Sequence, residues 1–243
     1  MKAHISEIYS AIQGEGEYLG VRQIFLRFCV CNLNCAYCDT IREAEYGRYE
    51  KHAGKRDFVK FKNPVGARRA VPLQKIIKSL NKTPHHSISL TGGEPLLHAD
   101  FLAQFLPIIK KEKLKIFLET NGTLPGELNK IIKLIDIIAM DIKLPSVTKD
   151  KPFWKEHKSF IDAAIKNKKE IFMKLVVGRN TKLEEIKKAS DLIKDKNIPV
   201  ILQPVFGAKG PSLKQLTAWQ IILLEKHKTV KVIPQVHKLM GEI

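Results

Sequence analysis

Downstream of residue 70 the chain alternates short apolar runs with stretches in which apolar residues recur every three or four positions. The runs SISLT (Ser87–Thr91), KIFLET (Lys115–Thr120), IIAMDIK (Ile137–Lys143), EIFMKLVV (Glu170–Val177) and VILQPV (Val200–Val205) have the pattern of buried strands. Between them, DFLAQFLPIIKKEK and TKLEEIKKASDLIKDK carry helical spacing. Pro72, Pro125 and Pro211 stand near the expected helix starts, where a missing amide donor costs little. Strand and helix alternating in this way predict βα units and a parallel sheet. RQIFLRFCV (Arg22–Val30) and VKVIP (Val230–Pro234) bring the expected strands to six or seven, fewer than the eight of a closed barrel. The expectation is an α/β fold, an incomplete (β/α)6-type TIM barrel with a parallel sheet. It forms one domain over residues 1–243, with a basic insertion at about 41–70 where the periodicity is weak.

In such a sheet ligands bind at the carboxyl ends of the strands. TGGEP, ETNG, DIKLPS and QPV each follow a run and should converge on one rim, although each taken singly is an ordinary turn sequence. The apolar fraction of 44% suffices for a core. No apolar run approaches the roughly 18 to 20 residues that span a bilayer. The start MKAHISEIYS lacks the apolar segment of a signal peptide, so a soluble, cytoplasmic protein is expected. The net charge of +17 fits an acidic protein partner, an anionic small molecule or nucleic acid. No nucleic-acid-binding module accompanies it, and direct nucleic-acid binding is not expected.

All four cysteines, Cys29, Cys31, Cys35 and Cys38, fall in CVCNLNCAYCDT at the end of the first barrel strand. Disulfide frameworks spread their cysteines and belong to oxidising compartments, so metal ligation is the reading that accounts for the clustering. Structural zinc favours two short-spaced pairs held apart. Cys31-x3-Cys35-x2-Cys38 is a single tight loop able to wrap one iron–sulfur cube. Three thiolates on a cube leave one iron open, which turns an electron carrier with four cysteines into a site for inner-sphere chemistry. Strand alternation sends Arg27 and Cys29 inward and Leu26, Phe28 and Val30 toward the helices. Cys29 then lies below the loop as a buried thiol.

This spacing, with Tyr37 before the last ligand and TGGEP (Thr91–Pro95) after the next strand, resembles the signature of the radical S-adenosylmethionine (SAM) superfamily. The resemblance implies a 4Fe–4S cluster on Cys31, Cys35 and Cys38 at the carboxyl-terminal rim, with SAM chelated at the open iron. It also implies that an adenosyl radical, rather than a side chain, takes the substrate hydrogen. IYSAIQGEGEYLG, FLRF, CDT and PQVHK narrow the resemblance to the 7-carboxy-7-deazaguanine synthase family, over most of the chain except 41–70. This narrower resemblance implies a carbon–nitrogen lyase that contracts 6-carboxy-5,6,7,8-tetrahydropterin to 7-carboxy-7-deazaguanine with loss of ammonia, on the route to queuosine or archaeosine. The family implies a homodimer and a flavodoxin or ferredoxin as reductant, and the basic stretch at 41–70 suits an acidic donor of that kind.

Residue by residue, the resemblance places Ile12, Gln13, Gly14, Arg27, Thr91 and His237 at the substrate. Arg27 offers the planar fork that suits a carboxylate. Thr40 is implied as a ligand of Mg²⁺, a cation that prefers oxygen. At SAM the implied residues are Tyr37, Gly92, Gly93 and Glu94 near the cluster, then Glu119, Asn121, Asp141, Lys143 and Gln203 on later strand ends. Three rivals share parts of the pattern. A glycyl-radical-enzyme activase shares the cysteine loop and the DIK strand end but has no need of Arg27 or PQVHK. A radical SAM enzyme acting directly on tRNA would use the positive charge. A structural zinc protein would not require TGGEP.

Overall fold

The computed structural model describes residues 2–38, 58–60, 65–66 and 70–240. In chain order the strands are β1 (Lys2–Ala3), β2 (Ile5–Ile12), β3 (Arg22–Phe28), β4 (Phe58–Lys60), β5 (Val65–Gly66), β6 (Ser87–Gly92), β7 (Lys115–Thr120), β8 (Ile137–Ile142), β9 (Glu170–Val177), β10 (Val200–Pro204) and β11 (Val230–Val232). The helices are α1 (Ala70–Leu80), α2 (Ala99–Ile109), α3 (Pro125–Ile131), α4 (Pro145–Thr148), α5 (Trp154–Lys166), α6 (Leu183–Leu192), α7 (Leu213–Leu224) and α8 (Val236–Leu239).

Nine strands form one open sheet in the order β11-β10-β9-β8-β7-β6-β3-β2-β4. From β3 to β11 every neighbouring pair is parallel. β3, β6, β7, β8, β9 and β10 are each followed by a helix before the next parallel strand, so the parallel part is the expected incomplete (β/α)6 barrel. Each of the seven apolar runs read from the sequence is a strand. Two further strands complete the sheet. β2 runs antiparallel to β3, and β4 runs antiparallel to β2. The register of β2 slips between Ile5 and Glu7, so Ile5 and Ile8 are both buried in the helix-side core despite their odd spacing. That bulge breaks the period-2 signal that would otherwise mark a strand.

Alternation along the parallel strands builds two different faces. Ile88 and Leu90, Ile116 and Leu118, Ile138 and Met140, and Met173 and Leu175 point outward into the core beneath the helices. Each fully buried side chain of this kind contributes about 1.5–3 kcal/mol. The inward positions change character with height. At the strand starts Phe117, Ile137, Ala139, Phe172 and Ile201 close the barrel floor, with the Tyr18 ring edge-on to Phe117 at 5.7 Å. One or two inward steps later on the same strands come Glu119, Asp141, Lys174 and Gln203, which line a cavity instead. The open side of the barrel is bridged by the segment after β11. Val236 N–H donates to Gly14 O at 3.0 Å, and Lys231 pairs with Glu17 at 2.6 Å.

Of the expected insertion at 41–70, β4 extends the sheet and β5 pairs with β1. Lys55, Arg56, Arg68 and Arg69, four of the basic residues of that stretch, lie outside the described residues. Among the described residues no helix is long and apolar enough to cross a membrane.

Candidate active site

The cavity at the carboxyl-terminal rim has a volume of about 460 Å³ and is lined from every parallel strand from β3 to β10, together with the β2 end and the segment after β11. It brings together Cys31, Cys35 and Cys38 with all but two of the other residues expected at the site. Thr40 lies outside the described residues. Glu94 does not face the cavity.

Glu94 is completely buried, and its carboxylate belongs to the turn. Oε1 accepts from Leu96 N–H at 3.1 Å and Thr120 Oγ1 at 2.9 Å, and Oε2 accepts from Asn121 N–H at 2.8 Å. Its oxygens knit the end of β6 to the end of β7, at the place where the resemblance expects a SAM contact. Burial pushes its carboxyl up to about 7, against the three donors that favour the anion. In Glu94→Gln an amide donor meets one of those donors in either orientation. Chemical unfolding should show a loss of about 1–3 kcal/mol.

The cluster loop leaves β3 after Phe28 and is held from three sides. Gly93 N–H donates to Phe28 O at 2.6 Å and Glu94 N–H to Val30 O at 2.8 Å, so TGGEP is stapled to the entry of the loop. A Cβ on Gly93 would stand 2.1 Å from Val30 O, and one on Gly92, at φ +100°, 2.2 Å from Phe28 O. Only glycine allows this approach. Ala36 N–H donates to Thr148 O at 3.1 Å, tying the loop to α4. Asn32 accepts from Asn121 Nδ2 at 2.9 Å and donates to Thr123 Oγ1 at 2.9 Å, tying it to the β7 turn.

Cys31, Cys35 and Cys38 stand as thiols on this one turn, and Cys31 and Cys38 are exposed. Leu33 N–H points at Cys31 Sγ from 3.4 Å, a donor suited to a sulfur carrying negative charge. Burial pushes the Cys31 and Cys35 thiols up, and binding to iron would deprotonate them outright. Among the described residues no group of three His, Cys, Asp or Glu closes around a single ion. Three thiols spaced along one turn are a donor set that suits separate corners of a cube. Cys29 is buried beneath the loop, with its Sγ 3.5 Å from His4 O, as the strand alternation predicts.

On the opposite wall Arg27 faces the cavity between β2 and β6. Glu7 pairs with its Nε at 2.9 Å, Tyr9 OH accepts from its Nη2, and its guanidinium lies over the Tyr9 ring. Gln13 donates to Glu119 Oε1 at 3.0 Å, and Ser89 and Thr91 donate to the same carboxylate at 2.9 Å each. Glu119 is thus fixed by three neutral donors while still lining the cavity. Gln203 is buried with its Oε1 unpartnered among the described residues, an acceptor facing the same space. His237 packs on Gly14, where a Cβ would come within 2.5 Å of its Nδ1. Pro145 and Ser146 do not reach the cavity, and Ser146 instead binds Glu185 of α6.

Several cavity residues carried no sequence expectation. Tyr9 sits on β2, the strand hidden by its bulge. Glu15 accepts from Lys174 Nζ at 2.8 Å and Gln235 Nε2 at 2.8 Å. Lys174 was visible as the one cation inside the apolar run EIFMKLVV, but its partner lies 159 residues away. Burial alone would raise the Glu15 carboxyl, yet Lys174, Gln235 and His237 hold it down at about 2. The stability this supplies is fully present above about pH 4.5, the ordinary glutamate value, and fades as the pH falls toward 2. Acid unfolding of Glu15→Gln should therefore be flatter than that of the wild type between those two values, and less stable than it at pH 7.

Residues 26–210 match the Radical SAM superfamily. The 7-carboxy-7-deazaguanine synthase of Geobacter sulfurreducens is 41% identical over 248 residues, covering 99% of this chain and 98% of that protein. The enzyme of the same name from Archaeoglobus fulgidus is 34% identical, covering 99% of each. Among solved structures, QueE from Escherichia coli superposes with a TM-score of 0.61 at 18% identity, over 98% of this chain and 95% of that one. Native anSMEcpe with bound AdoMet superposes at 0.55 and 18% identity, over 83% of this chain and 61% of that one. These two share the fold. With its cysteine loop, its open barrel and full-length relatives of one name, the chain belongs to the radical SAM superfamily and, within it, to the 7-carboxy-7-deazaguanine synthase family.

Proposed function

We propose that this protein contracts 6-carboxy-5,6,7,8-tetrahydropterin to 7-carboxy-7-deazaguanine, releasing ammonia, by SAM-dependent radical chemistry. The observation that carries the reading is the pairing, across one cavity, of a three-thiol loop with Arg27 and Glu119. The first is an iron–sulfur donor set; the second suits a heterocycle bearing a carboxylate. Cys31, Cys35 and Cys38 would hold the 4Fe–4S cluster. Bound there, cluster and SAM would supply the one-electron chemistry that starts a radical reaction at a substrate C–H bond.

The chain's own residues bind and orient. Arg27 takes the substrate carboxylate, and Glu7 and Tyr9 keep its guanidinium in place. Glu119, which the resemblance sets at SAM, is assigned to the substrate side because Gln13 and Thr91 of that side donate to it. It accepts hydrogen bonds from the ring nitrogens, and Gln13, Ser89 and Thr91 keep that carboxylate fixed. Ile12, Gln13 and Gly14 bring backbone groups to the substrate edge, and His237 covers it from the chain's last segment. Tyr37, Gly92, Gly93, Asn121, Asp141, Lys143 and Gln203 form the SAM side. The resemblance makes Thr40 a ligand of Mg²⁺, in keeping with that cation's preference for oxygen. Enclosure by the strand rim and the last segment limits water at the reacting atoms.

A flavodoxin or ferredoxin as reductant and a homodimer belong to the same proposal, the former supported by the chain's charge of +17. So does a single domain over 1–243 with its basic stretch near 41–70. The test is anaerobic turnover of reconstituted protein with reductant, SAM, Mg²⁺ and the carboxypterin, followed by product mass. The ring-contracted acid is expected. Cleavage of SAM with the pterin left intact would favour the glycyl-radical-enzyme activase reading instead.

A further inference from the structure

A row of alternating charges crosses the cavity floor. Gln235 Nε2 donates to Glu15 Oε1 at 2.8 Å, and His237 Nδ1 lies 4.0 Å from the same oxygen. Glu15 Oε2 accepts from Lys174 Nζ at 2.8 Å, and Lys174 Nζ stands 3.2 Å from Asp141 Oδ1. Asp141 Oδ2 then pairs with Lys143 Nζ at 2.9 Å, and Lys143 donates to Tyr37 OH at 3.3 Å. The row thus runs from the segment that closes the barrel to the residue between the last two cluster thiols. Its two ends belong to the two halves of the site, the substrate side at Glu15, Gln235 and His237 and the SAM side at Asp141, Lys143 and Tyr37.

Lys174 is the junction. Its side chain is 6% exposed, and it stands on β9 between Met173 and Leu175, which face the other way into the helix-side core. A buried ammonium is costly unless compensated, and here two carboxylates from different parts of the chain compensate it together. Remove the cation and Glu15 and Asp141 become neighbouring buried carboxylates of like charge. One of them must then take up a proton or turn away. If Glu15 turns, Gln235 loses its acceptor and α8 its seat beside Gly14. If Asp141 turns, Lys143 leaves Tyr37.

We propose that Lys174 is a positioning residue that locks the substrate side of the cavity to the SAM side by bridging Glu15 and Asp141. The proposal rests on the function given above. Its role is to keep the segment around Gln235 and His237 closed over the pterin while the SAM side holds its own geometry, so that each SAM cleaved leads to product.

Two measurements test this on the reconstituted holoenzyme. Hydrogen exchange at residues 235–239 is compared, with SAM and carboxypterin but no reductant, among wild type, Lys174→Met, Lys174→Arg and Glu15→Gln. Turnover then gives the ratio of 5′-deoxyadenosine to ring-contracted product. Lys174→Met and Glu15→Gln should speed exchange at 235–239 and raise that ratio by about tenfold. SAM affinity should stay within about twofold, because Asp141 keeps Lys143 at 2.9 Å while Glu15 loses its ammonium partner, so Glu15 is the carboxylate that turns. Lys174→Arg keeps the bridging charge and should restore most of both. Should Lys174→Met not fold, Glu15→Gln breaks the same bridge and carries the comparison. Wild-type exchange at 235–239 in the folded variants overturns the proposal. A wild-type protein that makes no ring-contracted product overturns the proposed function instead, and the exchange comparison, which needs no turnover, still decides the role of Lys174.

Discussion

Alanine at any one of Cys31, Cys35 or Cys38 is expected to leave the reconstituted protein short of iron and to reduce both SAM cleavage and product formation to background. Cys29→Ala is expected to keep the iron content and most of the activity. The contrast comes from position. All four cysteines line the cavity, but only Cys31, Cys35 and Cys38 share one turn, and that turn is pinned by Gly93 and Glu94 to the end of β6 and by Ala36 to α4. No other cysteine is present in the chain to replace a lost ligand except Cys29, which is buried at the end of the strand with its Sγ against His4 O. Its removal takes away a small buried side chain, a change of about 1 kcal/mol in stability. Iron and sulfide analysis beside an anaerobic SAM-cleavage assay separates the two cases. Retention of a full cluster in Cys35→Ala, or its loss in Cys29→Ala, would reassign the ligands.

The second large effect is expected at Arg27. Arg27→Gln should lower kcat/KM for the carboxypterin by roughly 30-fold or more, the lower end of about 2–5 kcal/mol for truncating one partner of a charge pair that the bound substrate buries. SAM affinity and iron content should be unaffected. Arg27→Lys keeps the charge but not the fork, and an ammonium cannot both remain against Glu7 and Tyr9 and meet a carboxylate in two places. It should recover only part of the loss. Steady-state kinetics with carboxypterin as the varied substrate reads the change. An equal loss with a substrate analogue lacking the carboxylate would show that Arg27 serves the fold of β2 and β3 instead of the substrate.

Much of this site can be read from strand alternation alone. Asp141 and Lys143 in IIAMDIK and Glu119 in KIFLET are polar residues at inward steps of otherwise apolar runs, and each faces the cavity. Arg27 and Cys29 obey the same rule. What escaped that reading is non-local or irregular. β2 was hidden because its bulge places Ile5 and Ile8 on the same side, breaking the alternation. Glu94 has the residue type of a ligand contact, but two of its three donors, Thr120 and Asn121, lie 26 and 27 residues downstream, a pairing that the parallel packing of β6 and β7 creates. Lys174 was visible as an oddity without a reason, since the β8–β9 register sets it beside Asp141 and Glu15 reaches it from a loop 159 residues away.

In the proposed site three thiolates from one turn hold a cube whose fourth iron is left for SAM. Pulsed electron–nuclear resonance on the reduced, reconstituted protein, with SAM labelled at its amino nitrogen, addresses it directly. A hyperfine coupling from the labelled nitrogen to the cluster is predicted in the wild type and, undiminished, in Cys29→Ala. A spectrum without that coupling in the wild type, or one in which it appears only after Cys29 is removed, would mean that the fourth position is already occupied by protein.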